Sequence, residues 1–431
     1  EEIFNTLKDW NIWFEDIDKG INREYYLKRI HKLSNTKDVV VVKGVRRAGK
    51  STILRQFIYG LIKKIDKKQL LFINFEDSRF AGSLSLDLIE RIFNVYLEYM
   101  KPKGEIYVFL DEVQNIPGWE KWVRTKHELK QANIFVTGSS SKLLGKEFGT
   151  ALSGRYVNLT VYPLSFTEFL NFRNLKIKDK KDMEVHKIKI KQLLREYLLF
   201  GGFPKITLTE TEFEKKQQLS AYFESILLKD IVARHNLKSY EKLKKLAVYL
   251  LTNISKPHTI NSLKNALNLP YDTSEKYFEY MKDAYLVFDV YSHTYSLKEQ
   301  YKLPRKVYCI DIGLRNITSF AFSQDIGRLC ENAVFLELKR KEKNVFYWKD
   351  KQNREVDFVV KEGLKAKELI QVSWDIKNEK TKKREIRSLL KAMKEFRLKE
   401  CLIITEDDEG EETVEGKKIR FMPLWKWLLK N

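Results

Sequence analysis

The stretch from Val39 to Thr52, VVVVKGVRRAGKST, constrains the fold more than any other part of the chain. Its run of valines, Val39 to Val42, predicts a parallel strand covered on both faces, because β-branched side chains suit a pleat packed from both sides. Gly44, Arg46, Arg47, Ala48, Gly49, Lys50, Ser51 and Thr52 then form a segment that fits G-x-x-x-x-G-K-[ST] at every fixed position. Such a loop turns tightly while its backbone N–H groups point inward at phosphates, so it needs glycine at both ends. In this reading Lys50 reaches the β- and γ-phosphates and Ser51 holds Mg²⁺. The helix predicted by Ile53, Leu54, Phe57 and Ile58 turns its positive end to the same anion. ATP and Mg²⁺ are the expected ligands.

The segments that follow repeat a strand-then-helix order. Leu70 to Phe75 predicts a second strand, with Asn74 near the edge where such sheets bind ligands. Ile106 to Leu110 predicts a third, delivering Asp111 and Glu112 to that edge; Asp111 supports the metal and Glu112 orients the attacking water. Ile134 to Ser141 predicts a fourth, ending in hydroxyls of which one of Thr137, Ser139 or Ser140 meets the γ-phosphate or the water. A serine-rich turn also serves as a plain turn. Arg155 precedes a further strand. It is read either as a cation for phosphoryl transfer, from its own chain or a neighbouring subunit, or as a surface ion pair.

The motifs GVRRAGKST, FLDEVQNIPGWEKWV, VTGSSSKLL, SGRYVNLTVYPLSFTEFL, LLFGGFPKI, ENAVFLEL and REVDFVV occur in this order along nearly the whole chain. In that order the sequence resembles the archaeal and bacterial ATPases of the AAA+, STAND-like group that precede a DUF4143 domain. The resemblance implies a P-loop NTPase fold and ATP hydrolysis. It also implies that Asn74 is a switch residue coupling ligand state to Glu112, and that Pro204 of Gly202-Phe203-Pro204 lies against the adenine. Arg234 is a second candidate for sensing the phosphates, from a helical lid.

A length of 431 residues predicts two to four domains at roughly 100–200 residues each. We read a lead-in at 1–37, a P-loop ATPase core at 38–170, an insertion and helical lid at 171–239, a winged helix at 240–303 and an α/β domain at 304–431. The lid helices are expected at Gln192 to Phe200 and Lys215 to His235. In the winged helix, Asp272 and Glu275 are expected to form a capping box, and Glu275, Glu279 and Asp283 on the last helix favour an interdomain scaffold over a groove reader.

The last domain is expected to open with a strand from Lys306. Its element order resembles the restriction-endonuclease-like fold, which implies that Glu331 on a helix, Asp357 on a strand and an acid and lysine on the next strand gather around Mg²⁺. Here that strand reads Gln371-Val372-Ser373, so the site is degenerate and cleavage is not expected. A displaced lysine such as Lys367 is a candidate substitute. Thr405 to Gly416 is expected to be an exposed hairpin loop, and Phe421 to Leu429 an edge strand and short helix.

The formal charge of +21 points to a polyanionic partner or to a lysine-rich composition. Nucleic acid, DNA before RNA, is the expected partner, with a protein partner and self-association as further readings. An active DNA-processing nuclease and an ATP-binding interaction switch are the alternatives. The odd cysteine count, Cys309, Cys330 and Cys401, suggests no disulfide framework. No apolar run approaches ~18 residues, so a cytoplasmic setting without a membrane is expected.

Overall fold

A computed structural model describes residues 1–139, 152, 154–318 and 326–430. The chain divides into two compact units, Glu1–Tyr162 and the residues from Pro163 onward. The expected core at 38–170 runs a little past this boundary. The hydroxyl Ser140 and the rest of the serine turn through Ser141 lie outside the described residues.

The first unit is built on a parallel sheet of β1 (Val39–Lys43), β2 (Leu70–Asn74), β3 (Tyr107–Asp111), β4 (Asn133–Gly138) and β5 (Tyr156–Thr160). Their order is β2-β3-β4-β1-β5, so the acid-bearing strand is separated from the loop-bearing strand by β4. Val39 to Val42 are fully buried, as a strand covered by helices on both faces requires. The helices are Lys50–Leu61, Leu86–Met100 and Trp119–Glu128, with Ser85 capping the second through the Leu88 N–H.

The lead-in covers the exposed edge of β2. Asn11 accepts from the Phe72 N–H at 2.7 Å and donates to the Phe72 carbonyl at 2.9 Å, and the Trp13 indole donates to the Leu70 carbonyl at 2.7 Å. These bonds satisfy backbone groups that an open edge would offer to another chain. Arg23, 2% exposed, donates to the carbonyls of Ala48 and Tyr162 at 2.8 and 3.0 Å. Gln56 in turn holds the backbone of Lys19, Ile21 and Arg23.

The second unit contains an all-helical stretch and two sheets. Its early helices include Phe166–Phe172, Lys180–Val185, Lys187–Phe200, Pro204–Leu208 and Glu212–Ser225. The expected helix through His235 continues as a π-helical segment, Ile226–Ala233, so the second lid helix is not uniform. Helices Tyr240–Thr252, Ile260–Leu267 and Tyr271–Asp283 follow. Thr259 and Ser262 form a capping box, whereas the expected Asp272–Glu275 box is absent because Pro270 is the cap and Asp272 already sits in the first turn.

A three-stranded antiparallel sheet places β8 (Arg305–Cys309) between β6 (Pro257–His258) and β7 (Val287–Val290). This differs from the expectation that Lys306 opens a new domain: Lys306 pairs with Val290 and Pro257. The larger sheet has six strands in the order β13-β14-β12-β11-β10-β9. They are β9 (Asn344–Lys349), β10 (Glu355–Glu362), β11 (Lys365–Val372), β12 (Glu400–Thr405), β13 (Gly410–Val414) and β14 (Lys417–Pro423).

The acidic stretch lies in a hairpin as expected, but Gly410–Val414 within it is a strand, β13 at the sheet's edge, and Phe421 lies on β14, inside the sheet rather than at its edge. The charges of β13 are carried at the rim, where Lys418 and Lys382 pair with Glu411 and Glu412. All three cysteines are buried and free. Among the described residues no helix is long and apolar enough to cross a membrane.

Candidate active site

The parallel register brings the carboxyl ends of the strands of the first unit to one edge. Asn74 stands beside Asp111, and Val42 and Lys43 beside Thr137 and Gly138. The loop leaving β1 is held in its turn by Gly44 at φ 145°, where an added Cβ would stand 2.1 Å from the Val161 carbonyl oxygen. No side chain fits there. Gly49, also left-handed, starts the helix Lys50–Leu61.

Lys50 is buried and curls into the loop, donating to the carbonyls of Gly44 and Val45 at 3.1 and 3.3 Å. Its ammonium also lies 3.8 Å from Glu112. Ser51 donates from its hydroxyl to Asp111 Oδ1 at 2.9 Å, and Thr137 donates to the same oxygen at 2.5 Å. Thr137 accepts in return from the Glu112 N–H at 2.9 Å. One threonine thus ties together the two acids and the middle strand.

Burial, reinforced by the neighbouring Glu112 charge, pushes the Asp111 carboxyl up to about 6 against the opposing Thr137, Ser51 and Lys50 contacts. Glu112 has a left-handed backbone, φ 52°, uncommon for a residue with a side chain. Such backbone strain tends to collect at functional sites. The Gln114 amide donates to Glu112 Oε2 at 2.5 Å.

Lys50, Ser51, Asp111 and Glu112, expected from separate segments, therefore meet at one edge. Arg46 is paired with Glu76 at 2.7 Å, Arg47 has a left-handed φ of 70°, and Ala48 is the loop carbonyl that Arg23 holds. Thr52 stands in the first turn of the helix, and Ser139 is buried just after β4. The Asn74 side-chain oxygen accepts from the Glu76 N–H at 2.9 Å, and Gln114 is the amide on Glu112.

Arg155 is a correction for action within its own chain. It lies at the amino end of the sheet, where its carbonyl accepts from the Val39 N–H and its guanidinium donates to Glu128. Since β5 runs parallel to β1 from Tyr156 beside Val39 to Thr160 beside Lys43, the strand's length separates Arg155 from the phosphate loop.

Pro204 and Arg234 belong to the second unit. Pro204 begins the helix Pro204–Leu208, and Arg234 ends the π-helical segment. The preceding glycines have a packing reason of their own. A Cβ on Gly201 would meet Asp311 Oδ1 at 2.0 Å, and the Gly202 N–H donates to Asp311 Oδ2 at 2.7 Å. Burial pushes this Asp311 carboxyl up to about 6 despite three backbone donors.

The residues expected of a degenerate nuclease-like site also meet, with a partner that the sequence did not announce. Glu331 on the helix Ile326–Arg340 and Asp357 on β10 share the Lys306 ammonium at 3.0 and 2.9 Å. Gln371 accepts from the Asp357 N–H at 3.1 Å and donates to Glu385 at 2.9 Å. Lys367 is half-exposed and faces Glu362 at 3.9 Å, so it is not the substitute cation. A groove of about 870 Å³ opens above this cluster, lined by Arg354, Lys380, Lys383, Arg387, Asp357 and Gln371 among others.

Residues 36–170 match the AAA domain family, residues 191–325 a domain of unknown function, DUF8612, and residues 326–427 another, DUF4143. The chain is 38% identical to an uncharacterised protein of Methanocaldococcus jannaschii, over 99% of this chain and 97% of that one. It is 31% identical to an uncharacterised Haemophilus influenzae protein, over 83% and 87% of the two chains. Among solved structures it is similar to the Walker-type ATPase of Pyrococcus abyssi, at 15% identity and a TM-score of 0.45, over 72% of this chain and 97% of that one.

Proposed function

We propose, from the premise that this chain belongs to the family of those archaeal and bacterial relatives, with an AAA domain followed by DUF8612 and DUF4143, that it is an Mg²⁺-dependent ATPase acting as a nucleotide-gated switch or motor on nucleic acid. The observation that carries the reading is the linked set Lys50, Ser51, Asp111, Thr137 and Glu112. The hydroxyl of Ser51 and the carboxylate of Asp111 are hard oxygen donors that suit Mg²⁺. When bound there, Mg²⁺ neutralises charge that develops on the phosphate oxygens.

Lys50 has loop carbonyls as acceptors in place of phosphate, and ATP gives its ammonium a stronger acceptor than either. Moving there takes Lys50 away from Glu112. The Glu112 carboxylate is then available to orient a water for in-line attack on the γ-phosphorus, forming ADP and inorganic phosphate as the β–γ bridging bond breaks. Thr137 holds the Glu112 backbone during this step. Arg155 acts in phosphoryl transfer from a neighbouring subunit, and Pro204 and Arg234 are the proposed lid contacts to adenine and phosphate.

The nucleic-acid part of the reading is supported by the +21 charge and by the groove lined with Lys380, Lys383 and Arg387. The elements at 240–303 serve as a winged-helix scaffold, and the nuclease-like domain is degenerate. ATP hydrolysis by wild type and Lys50→Ala, each with and without DNA and RNA, tests the whole. Lys50-dependent turnover that rises with DNA is expected. Turnover indifferent to both polymers would replace the nucleic-acid part by a protein partner, and turnover without Lys50 would remove the site assignment.

A further inference from the structure

The restriction-endonuclease resemblance implies a divalent cation among Glu331, Asp357 and the third-strand residue. The donor set here does not fit one. Lys306 is 1% exposed, and its ammonium lies 3.0 Å from Glu331 Oε1, 2.7 Å from Glu355 Oε1 and 2.9 Å from Asp357 Oδ1. An ammonium has three N–H donors and no acceptor; here it donates to Glu331 and Asp357, and the Glu355 carboxylate forms an ion pair with the same charge.

The arrangement follows from two strands that present alternate residues to each other. Lys306 and Tyr308 are two apart on β8, and Glu355 and Asp357 are two apart on β10, so each pair shares a face. Glu331 stands between the pairs and also accepts from the Tyr308 hydroxyl at 2.7 Å. Tyr308 is fixed by stacking on Phe335, 4.3 Å between ring centres. The remaining oxygen of Asp357 accepts from the Val372 N–H at 3.0 Å, and both ends of the Gln371 amide are engaged.

We propose that Lys306 is a built-in cation in the place of a divalent metal, making this cluster a metal-free charge lock that joins β8 to the helix Ile326–Arg340 and to β10. A catalytic lysine must turn at least one N–H toward the scissile phosphate, and this one is buried and surrounded by three carboxylates. The lysine lies in the DUF8612 segment and its acids in the DUF4143 segment. The lock is therefore composite. Among the described residues no group of three or more histidine, cysteine, aspartate or glutamate side chains is set to hold a metal. Burial pushes the Glu331 carboxyl up to about 7, with Asp357 adding to it and Lys306 opposing, so the ammonium is what keeps these acids together. The inference is independent of whether the phosphate loop hydrolyses ATP.

Mn²⁺ binding to the full chain, without nucleotide, tests it by the loss of the free-ion EPR signal. Any Mn²⁺ held at the phosphate loop is common to all variants. Lys306→Met is expected to take up one Mn²⁺ per chain more than wild type, to melt lower, and to regain stability with Mn²⁺; Asp357→Asn added to it removes the gain. A folded Lys306→Met without extra Mn²⁺ overturns the proposal. Should Lys306→Met not fold, wild type and Glu355→Gln decide. Equal Mn²⁺ uptake, with no nicking of supercoiled plasmid in Mg²⁺ by wild type, supports the lock. An Mn²⁺ lost with Glu355, or nicking by wild type that Asp357→Asn abolishes, overturns it.

Discussion

At the scale of single residues, Glu112 and Asp111 have separable effects. Glu112→Gln keeps the shape and the Gln114 neighbour but removes the carboxylate proposed to orient water. Turnover should fall by about 10²-fold or more while ATP stays bound, as single-turnover and nucleotide-retention assays would show. For Asp111, burial sets the folded pKa at about 6, above the ordinary 3.8. The protonated form therefore favours the folded state, and that stabilisation is lost as pH rises through about 6. The proposed metal binding needs the carboxylate and runs the other way. Mn²⁺–nucleotide affinity should weaken as pH falls through about 6, and Asp111→Asn should lower the affinity and flatten the profile. The motif residues were legible in the sequence because one local spacing encodes them. Thr137 was one of three hydroxyls expected at the phosphate or the water, but its bonds to Asp111 and from the Glu112 N–H depend on β3 and β4 being paired, and Gln114, an amide two residues beyond Glu112, looks ordinary in the sequence.

Among the elements, the lead-in shows how a segment without a motif supports the site. Asn11 satisfies both polar groups of Phe72 on the edge strand, and removing its side chain leaves buried backbone groups unpaired. Asn11→Ala should cost about 1–3 kcal/mol in denaturant unfolding of the first unit. Arg23 acts closer to the chemistry because it holds the Ala48 carbonyl inside the phosphate loop. Arg23→Met should weaken ATP binding more than it lowers turnover at saturation, which titration with a fluorescent ATP analogue and steady-state kinetics separate. Strand and helix existence was readable from valine runs and apolar periodicity. Pairing was not: Lys306 sits on a strand whose local pattern fits either domain, and only the register with Val290 and Pro257 assigns it.

For the whole molecule, charge is the property that composition alone predicts and that folding distributes. If the basic lining of the groove takes nucleic acid, binding should be steeply salt-dependent, falling at least about tenfold between roughly 50 and 200 mM salt. Lys383→Glu with Arg387→Glu should reduce the affinity and the salt slope together while leaving turnover without nucleic acid unchanged. Fluorescence anisotropy with a labelled duplex measures both. Unchanged affinity would move the polyanion site away from this groove.

By itself the sequence determined the phosphate loop, its strand and helix, and the two acids, because each depends on contiguous residues whose spacing dictates local geometry. It also showed that Gln371 and Ser373 depart from a metal-binding pattern. Tertiary structure decided the rest. The order β2-β3-β4-β1-β5 put Thr137 between Asp111 and the loop strand, and sent Arg155 to the opposite edge. The pairing of β8 carried Lys306 to carboxylates up to 51 residues away in sequence. A lysine's charge is visible in the chain, but whether it meets water, a phosphate or three buried acids depends on which strands become neighbours.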